Sequence, residues 1–497
     1  MPVIFSKEQL GKKRLDGFYE TPIDTVKYMA DKILKIYKPN YSICDPCVGD
    51  GVFINYLFSK GIKKENLYGY DIDEKKIKIL KKNFKKVELF DSTKKFKKKF
   101  DIIIGNPPYA GDESYYIREN RDRLSRDYKD IKARNLFSII SYNSIQHLNE
   151  GGYFIKILSD AFLTNIYYKP FRDFILSELD IIEICLTPRD LFRHIDADIG
   201  TCILFGRKRN STDTTFNGWN NNKVNKNKIK LIDRLKSQNK FYNNKKTEWI
   251  NQNEINNYPN SQIIIGVSKK LRHIYINSKI KLGDIASGGT GISTGNDKKF
   301  LKKTSDVKKN KNWVPYYKNA ARMKYFYNPI YSIEKNYKKN YKNISNYLIR
   351  NEKFFYKEGI SCSSVGIRFS ASYMPSNCLF GVNANFFFKN RIDLFYVLAF
   401  LNSNIAWYFS RKILIRTNNI SANYLRKMPI IFPSSKKVKF EIYKRTKVIV
   451  DKLKKNPKYD FSEEEDYFNN KFYKIYNIDD IDKKKIEKFS KNFYEEL

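Results

Sequence analysis

The chain has 497 residues, enough for two or three domains with hydrophobic cores, and no uninterrupted apolar stretch reaches the length of a membrane span. Its formal net charge of +41 predicts a polyanionic partner and salt-dependent binding, although frequent Asn, Lys, Tyr and Ile also indicate the coding bias of an AT-rich genome. The N-terminus has no charged-then-apolar signal pattern, so we expect a cytoplasmic protein that is not attached to a membrane.

The first motif of chemical interest is a short predicted strand, residues 41–44, followed by a loop that contains two glycines. The loop reads Asp45-Pro46-Cys47-Val48-Gly49-Asp50-Gly51, and residues 52–59 after it are typical of the start of a helix. Gly49 and Gly51 permit tight backbone turns against a ligand. Strand, glycine loop and helix in this order are typical of nucleotide-binding doubly wound α/β folds, although the third glycine of the dinucleotide fingerprint is missing.

Two cysteines bracket this loop with C-x-x-C spacing. Cys44 and Cys47 therefore raise the alternatives of a redox pair or half of a zinc site. Neither a second C-x-x-C nor a histidine pair follows, so we predict neither a disulfide nor a metal site. With only three histidines in the chain, a histidine-activated nucleophile also has few candidates.

Four successive predicted strands, separated by segments of helical composition, each end in a polar residue. These residues are Asp45, Asp71, Asp91 and Asn106. An acid about 20 residues beyond the glycine loop, such as Asp71, can accept both hydroxyl hydrogens of a ribose. The repeated pattern predicts one crevice along the carboxyl edge of a single sheet.

The fourth strand leads into the tetrapeptide Asn106-Pro107-Pro108-Tyr109. The Asn106 side chain and the Pro107 carbonyl accept hydrogen bonds, the prolines offer no N–H, and Tyr109 supplies a ring on which a flat group can stack. This set suits methylation of a planar nitrogen that is a poor nucleophile. The structural alternative is an ordinary strand-to-loop turn.

The chain after residue 109 is predicted to continue the same α/β domain. The sequence predicts a helix over 133–148, a turn and strand over 151–158, a helix over 171–179, and strands over 181–186 and 201–205. Phe192 lies in the loop between the last two strands. From about residue 207 the composition becomes rich in Asn and Lys, which we interpret as a linker with one or two strands.

The second half of the chain opens with the segment 286–297, which is rich in Gly, Ser and Thr. Such a loop can approach a nucleic-acid backbone closely and donate N–H groups to phosphates, but it lacks the Gly-Lys-Ser/Thr ending of an ATP-binding loop. Four basic residues further on are candidates for contacts with phosphates or bases: Arg411, Lys412, Arg416 and Arg426.

Taken together, the motifs beginning at Asp45, Gly69 and Asn106 resemble those of the γ class of S-adenosylmethionine-dependent N6-adenine DNA methyltransferases. The segment from Gly17 to Pro22 resembles the additional cofactor motif that this class places before the glycine loop. One departure is visible, since the family usually has Ala-Cys-Gly-Ser-Gly where this chain has Cys47-Val48-Gly49-Asp50-Gly51.

The resemblance implies a fold class and a domain order. The fold is α/β, with a Rossmann-like, doubly wound, mostly parallel sheet and a C-terminal mixed α+β domain that recognises DNA. We place the methyltransferase catalytic domain at residues 1–250, the target-recognition domain at 251–455 and a helical tail at 456–497.

The resemblance also implies roles for individual residues. Asn106, Pro107, Tyr109 and Phe192 would bind and orient a flipped-out adenine, with Phe192 packed opposite Tyr109. Asp71 would bind the ribose of S-adenosyl-L-methionine and Asp91 its adenine amine. The full set of predicted cofactor-binding residues is Thr21, Asp45, Pro46, Gly49, Gly51, Asp71, Asp91 and Asn106.

The implied partner is double-stranded DNA, in a restriction-modification or related defence system of bacterial or viral origin. A restriction endonuclease on a separate chain is a candidate partner. A fused nuclease is not expected, because the first motif begins by residue 17 and no Pro-Asp…Asp/Glu-x-Lys cluster stands out downstream. The lack of repeats or heptads favours a monomer.

Other substrate classes remain open at this point. Asn-Pro-Pro-Tyr also occurs in methyltransferases of protein glutamine, and similar turns occur in rRNA methyltransferases, although these proteins are generally shorter. N4-cytosine methylation is chemically adjacent, but Asn rather than Ser at the first motif position argues against it. An inactive DNA-binding protein with a methyltransferase fold is disfavoured by the intact Asn106, Tyr109, Gly49 and Gly51.

Overall fold

A computed structural model describes most of the chain, and the chain divides into two compact units, Met1–Gly266 and Val267–Glu496. The described residues are 19–112, 114–132, 135–188, 191–192, 200–210, 227–233, 247–318, 323–340, 344, 346–363, 369–414 and 420–491.

The first unit contains a single sheet of nine strands. They are β1 (Ile43–Asp45), β2 (Leu67–Asp71), β3 (Val87–Leu89), β4 (Phe100–Gly105), β5 (Leu148–Ser159), β6 (Leu179–Leu186), β7 (Thr201–Lys208), β8 (Lys228–Ile232) and β9 (Thr247–Asn251). Their order is β3-β2-β1-β4-β5-β7-β6-β8-β9. The strands β3, β2, β1, β4 and β5 are parallel to one another, and β7 is antiparallel to both β5 and β6.

The predicted α/β class with a doubly wound, mostly parallel sheet is confirmed. In chain order, β2 lies beside β1 and β3 lies beside β2 at the edge of the sheet, whereas β4 lies on the other side of β1. β1 is entirely buried and β4 nearly so, as expected for parallel strands whose crossover connections cover both faces of the sheet. The order reverses between β1 and β4, and open α/β sheets bind ligands outside the carboxyl ends of strands at such a point.

The described residues of the first unit form seven α-helices, and the helices predicted at 52–59, 133–148 and 171–179 are among them, with bounds that differ by up to three residues. They are α1 (Ile23–Leu34), α2 (Val52–Ser59), α3 (Glu74–Leu80), α4 (Tyr115–Glu119), α5 (Arg121–Asp127), α6 (Leu136–Gln146) and α7 (Lys169–Glu178). Side-chain caps fix three of the starts: Asp73 accepts from the N–H groups of Lys75 and Lys76, Ser114 from that of Ile117, and Asn135 from that of Phe137.

The division between the units falls after Gly266, whereas the sequence placed it after residue 250. Residue 250 is an interior position of β9, which pairs antiparallel with β8 along its whole length. The buried Ile263 continues the same unit, and its N–H donates to the carbonyl of Leu163. The edge strand β9 and the connection that packs after it therefore extend the first unit beyond residue 250.

The second unit is a mixed α+β structure with two four-stranded sheets, of orders β10-β17-β14-β15 and β11-β13-β12-β16. Its strands are β10 (Ala286–Gly289), β11 (Leu301–Lys303), β12 (Trp313–Tyr317), β13 (Tyr331–Glu334), β14 (Gly359–Cys362), β15 (Ala371–Met374), β16 (Leu379–Phe380) and β17 (Ala384–Phe388).

The helices of the second unit include two within the predicted helical tail, residues 456–497. They are α8 (Lys269–Asn277), α9 (Leu282–Ile285), α10 (Asp297–Phe300), α11 (Thr304–Val307), α12 (Arg391–Leu401), α13 (Asn404–Phe409), α14 (Ala422–Leu425), α15 (Lys436–Lys455), α16 (Ser462–Ile475) and α17 (Asp480–Lys491). Helix α12 is buried over almost its entire surface, and α15 buries one apolar stripe.

The glycine-rich segment of the second unit is a paired strand and turn, which differs from the expected phosphate-binding loop. Ala286–Gly289 forms β10 against β17, and the N–H of Gly291 donates to the carbonyl of Gly381. A Cβ on Gly288 or Gly291 would collide with a neighbouring backbone carbonyl. Close strand packing therefore accounts for these glycines.

One of the four basic residues singled out in the sequence, Arg411, is buried. Lys412 and Arg426 are half-buried, and the guanidinium of Arg426 donates to the carbonyl of Gly288. Arg416 lies outside the described residues.

In the part of the chain that the structure describes, no single helix has the length and apolar composition to cross a membrane. The segments Arg391–Leu401 and Asn404–Leu414 reach that length and composition only when taken together, and a 70° bend separates them.

Candidate active site

The candidate site lies where the strand order reverses, at the carboxyl ends of β1 and β4. Asp45 ends β1, and Gly105 ends β4 immediately before Asn106. Gly105 has φ of +153°, and a Cβ there would lie 2.5 Å from Oδ1 of Asp45. Because Gly105 has no side chain, the Asp45 carboxylate can occupy the space beside it. The motif that begins at Asp45 is therefore in direct contact with the strand that leads into Asn106.

Asn106 is held by three hydrogen bonds. Its Nδ2 donates to the carbonyl of Tyr19 at 3.0 Å and to Oγ1 of Thr21 at 3.1 Å, and its Oδ1 accepts from the Tyr109 hydroxyl at 2.7 Å. The two donated bonds fix the position of the amide nitrogen. The amide oxygen, Oδ1, is therefore directed toward Tyr109. The early motif, whose residues 17 and 18 lie outside the described part, thus orients the predicted acceptor.

The aromatic residues predicted to hold a base are in contact with each other. The ring centroids of Tyr109 and Phe192 are 6.3 Å apart with an interplanar angle of 56°, and Tyr19 packs on both rings. Tyr109 and Phe192 are both buried. A base inserted between two rings needs about 7 Å between parallel planes, twice the usual packing distance of about 3.5 Å. The structure therefore shows this aromatic cluster closed.

The glycine loop is held by the acid at the end of β2. Oδ2 of Asp71 accepts from the N–H of Gly49 at 2.8 Å, and its Oδ1 accepts from the N–H of Asp73 at 2.9 Å. Gly49 and Gly51 have φ of +53° and +80°, a region that favours glycine. Asp71 therefore shapes the loop, and each oxygen retains one further lone pair for a ligand.

A cavity of about 300 Å³ lies beside this loop. Its walls include the carboxylate residues Asp71 and Asp91 and the apolar side chains of Ile72 and Phe90. Ile72 is 65% exposed, which is unusual for isoleucine and leaves an apolar surface facing the cavity. Acids beside apolar walls suit a nucleoside, whose base is flat and whose ribose carries two hydroxyl donors.

A second, smaller cavity adjoins the first. Its walls include Thr21, Asp45, Gly49 and Asn106, and the two cavities share Cys47. The pair of cavities thus runs from the acids after β2 and β3 to the asparagine after β4. Every residue predicted to bind the cofactor, apart from Gly51 at the start of α2, lines one of them.

Asp91 is more completely bonded to protein than the sequence indicated. Oδ1 accepts from the N–H and the hydroxyl of Thr93 at 3.0 and 2.7 Å, and Oδ2 accepts from the Tyr116 hydroxyl at 2.7 Å. Burial, the largest cause, raises the pKa of Tyr116 to about 12, so this hydroxyl stays protonated at neutral pH. Tyr116 lines the cavity and was not predicted, because nothing in the local sequence links α4 to a residue 25 positions earlier.

Buried ionisable side chains lie next to the ends of β1 and β4. Burial raises the pKa of Asp45, and it lowers the pKa of Lys156, which is fully buried on β5 beside Gly105. Lys156 donates to the hydroxyl of Ser144 at 2.7 Å. Burial also raises the pKa of the Cys47 thiol, and Cys44 and Cys47 are both free thiols.

The doubly wound sheet with a site at its strand ends is the Rossmann-like arrangement. Residues 56–192 match the family model described as Eco57I restriction-modification methylase.

Curated relatives agree with that family. The Type II methyltransferase M.VspI of Vibrio sp. (strain 343) is 27% identical over 171 residues, which cover 32% of this chain and 41% of the relative. The adenine-specific methyltransferase PglX of Lacticaseibacillus casei (strain Zhang) is 25% identical over 343 residues, 61% of this chain and 27% of the relative. The chain thus spans less than half the length of either protein.

A solved structure extends the likeness of the fold across most of the chain. A nuclease-deletion mutant of the Type ISP restriction-modification enzyme LlaGI, in complex with a DNA substrate mimic, aligns with a TM-score of 0.57 at 14% identity. The alignment covers 87% of this chain and 47% of that one. The similarity therefore concerns fold, and it includes the second unit.

Proposed function

We propose that the protein transfers a methyl group from S-adenosyl-L-methionine to the N6 amine of a flipped-out adenine in duplex DNA. The observation that carries this proposal is the oriented Oδ1 of Asn106, placed at the end of the paired cavities and bonded to Tyr109. The names of the relatives, which include Type II and adenine-specific methyltransferases, support the same reaction class.

The residues lining the two cavities fit the cofactor. Asp71 and Asp91 provide acceptors for ribose hydroxyls and for the adenine amine, Ile72 and Phe90 cover the base, and the smaller cavity would take the methionine end. Thr21, Asp45, Pro46 and the Gly49–Gly51 loop frame that part. When bound there, S-adenosylmethionine supplies an electrophilic methyl group.

The chain's own residues would activate the amine. The lone pair of the adenine amine is delocalised into the ring, which makes the nitrogen a weak nucleophile. Asn106 Oδ1 and the Pro107 carbonyl would accept its two hydrogens, which favours a tetrahedral nitrogen with a localised lone pair. Tyr109 and Phe192 would hold the ring, so positioning carries most of the rate.

The closed aromatic cluster defines what must change when a base arrives. Oδ1 of Asn106 already accepts from Tyr109, and the ring of Tyr109 rests against Tyr19 and Phe192. Base entry would replace the Tyr109 hydrogen bond by one from the amine and would move the rings apart. The cost of base flipping, a few kcal/mol, would be offset by stacking on these rings.

The biological setting follows from the same proposal. Double-stranded DNA would be the partner, the second unit would be the target-recognition domain, and a restriction endonuclease on a separate chain would complete a restriction-modification system. The net charge of +41 suits a nucleic-acid partner whose binding weakens with salt. We propose a monomer that acts in the cytoplasm on DNA.

The test is mass spectrometry of nucleosides from unmethylated plasmid DNA after incubation with the protein and S-adenosylmethionine. We expect new N6-methyladenine, and modification-sensitive sequencing of the same DNA would give the site. The Asn106→Ala variant, assayed at saturating cofactor because Asn106 also lines the smaller cavity, should lose all but a few per cent of methyl transfer. Methylation of rRNA or of protein glutamine, with none in DNA, would instead favour the alternative substrate classes.

A further inference from the structure

The segment between the Asn106–Tyr109 turn and helix α6 forms one wall of the larger cavity. Pro108 and Ala110, at its start, and Tyr116 on α4 all line that cavity. Asp91 and Thr93, which follow β3, line the same cavity and form a second part of its wall. One short stretch of chain therefore belongs both to the predicted base-binding turn and to the predicted cofactor site.

Arg123 on α5 ties the two walls together. Its Nη2 donates to Oγ1 of Thr93 at 2.8 Å and to the Tyr116 hydroxyl at 3.0 Å, and its Nη1 donates to the Thr93 carbonyl at 3.2 Å. The same Nη2 lies 3.7 Å from Oδ2 of Asp91. A planar guanidinium makes these contacts simultaneously, whereas the single ammonium of a lysine cannot reach the same set.

The contacts orient Asp91 from both sides. Thr93 and Tyr116 each donate to the carboxylate, and Arg123 in turn donates to both of them. The side chains of Arg123 and Asp91 are 23% and 19% exposed, so water competes only partly for these groups. The Tyr128 hydroxyl adds a bond to the Thr93 carbonyl at 2.7 Å. The network therefore sets the direction of Asp91 toward the cavity.

The other end of the segment is anchored next to the catalytic turn. The Asn135 side chain donates to the carbonyl of Tyr109 at 3.0 Å, and the N–H of Leu136 donates to that of Ala110 at 2.9 Å. Both ends of the segment are therefore bonded next to the Asn106–Tyr109 turn, and Tyr116 lies between them.

We propose, on the basis of the function proposed above, that Arg123 is a positioning residue that orients Asp91 for the cofactor and couples cofactor binding to the Asn106–Tyr109 turn. Arg123 is not among the residues that line either cavity. Its effect is therefore expected on the affinity for cofactor and, separately, on turnover when cofactor is saturating.

The chain offers a matched control three residues away. Arg126 lies on the same helix, its side chain is 76% exposed, and it pairs with Asp127. We compare Arg123→Lys, Arg123→Ala and Tyr116→Phe with Arg126→Lys and Arg126→Ala. The Tyr116→Phe variant removes only the hydroxyl, so it tests the network even if an Arg123 variant folds poorly, which thermal melting would reveal.

The first readout is the dissociation constant for S-adenosylmethionine, measured by titration calorimetry. We expect Arg123→Lys and Tyr116→Phe to weaken binding by about tenfold or more, since each loses charge-assisted or carboxylate hydrogen bonds, and the Arg126 variants by less than about twofold. Unchanged affinity in folded Arg123→Lys and Tyr116→Phe would overturn the proposal.

The second readout is kcat for DNA methylation at saturating cofactor. We expect Arg123→Lys to lower kcat as well, because the turn is no longer held by the network. A kcat equal to that of the wild type, with weakened cofactor binding, would overturn the coupling to the turn. If the wild type binds cofactor but methylates no DNA, the proposed function fails, while the binding comparison still decides the role of Arg123 toward Asp91.

Discussion

The hydroxyl of Tyr109 donates to Oδ1 of Asn106 at 2.7 Å, so the two side chains proposed to act on one base are bonded to each other. Asn106 is at the same time fixed by Tyr19 and Thr21 on its other side. The amide is therefore oriented in advance, whereas the tyrosine ring must leave its buried position before it can stack on a base. This relationship separates the two roles of Tyr109 experimentally.

The Tyr109→Phe and Tyr109→Ala variants should differ strongly. Phenylalanine keeps the ring and loses only the bond that closes the site, so we expect kcat/KM for DNA methylation within about threefold of the wild type. Alanine removes the stacking surface, which is worth about 1–3 kcal/mol per base, and should lower kcat/KM by about 5- to 150-fold. Steady-state kinetics on a duplex substrate measures both. Equal losses in the two variants would contradict a stacking role.

The contact between Gly105 and Asp45 predicts an intolerance of any side chain at position 105. In Gly105→Ala, the new Cβ would lie 2.5 Å from Oδ1 of Asp45, and φ of +153° is unfavourable for alanine. We expect the free energy of unfolding to fall by about 2–4 kcal/mol, with loss of cofactor binding. Urea denaturation and calorimetric titration measure the two effects.

Gly61 supplies the control for this substitution. It also has positive φ, +91°, but no atom lies within 4 Å of a Cβ built there. Gly61→Ala should therefore cost only the conformational strain, about 1–2 kcal/mol, and leave cofactor binding intact. Similar behaviour of the two alanine variants would show that the Asp45 contact is unimportant.

Cys47 should report cofactor occupancy. It is half-buried and lines both cavities, whereas the other five cysteines are buried. We expect a small maleimide to label Cys47 first, and bound S-adenosylhomocysteine to slow that labelling by about tenfold or more. Because burial raises the pKa of this thiol, the labelling rate should still be rising with pH at pH 8.5, as the thiolate fraction grows. Peptide mass spectrometry identifies the labelled residue.

The Cys47→Ser variant provides the control, since it should remain unlabelled under the same conditions. If another cysteine reacted first, or if the ligand left the rate at Cys47 unchanged, the assignment of the paired cavities to the cofactor would be contradicted.

The sequence by itself determined the sheet and its ligand-binding edge. Strands that alternate with helical segments are a local pattern. Asp45 and Asp71 end their strands, and Asp91 and Asn106 follow theirs within two residues. Because the carboxyl ends of parallel strands meet at one edge, the local motifs were sufficient to predict a shared crevice. The α/β class and the family resemblance followed from the same residues.

Only the tertiary structure decided how those residues are held. Tyr116 and Arg123 reach Asp91 across 25 and 32 positions, and Thr21 reaches Asn106 across 85; side chains that lie so far apart in sequence leave no periodic signal. The closed packing of Tyr109 on Phe192 likewise depends on long-range contacts. The sequence shows which polar groups stand at the ends of the strands. The tertiary structure decides which of these groups form hydrogen bonds with one another and which are left to bind a ligand.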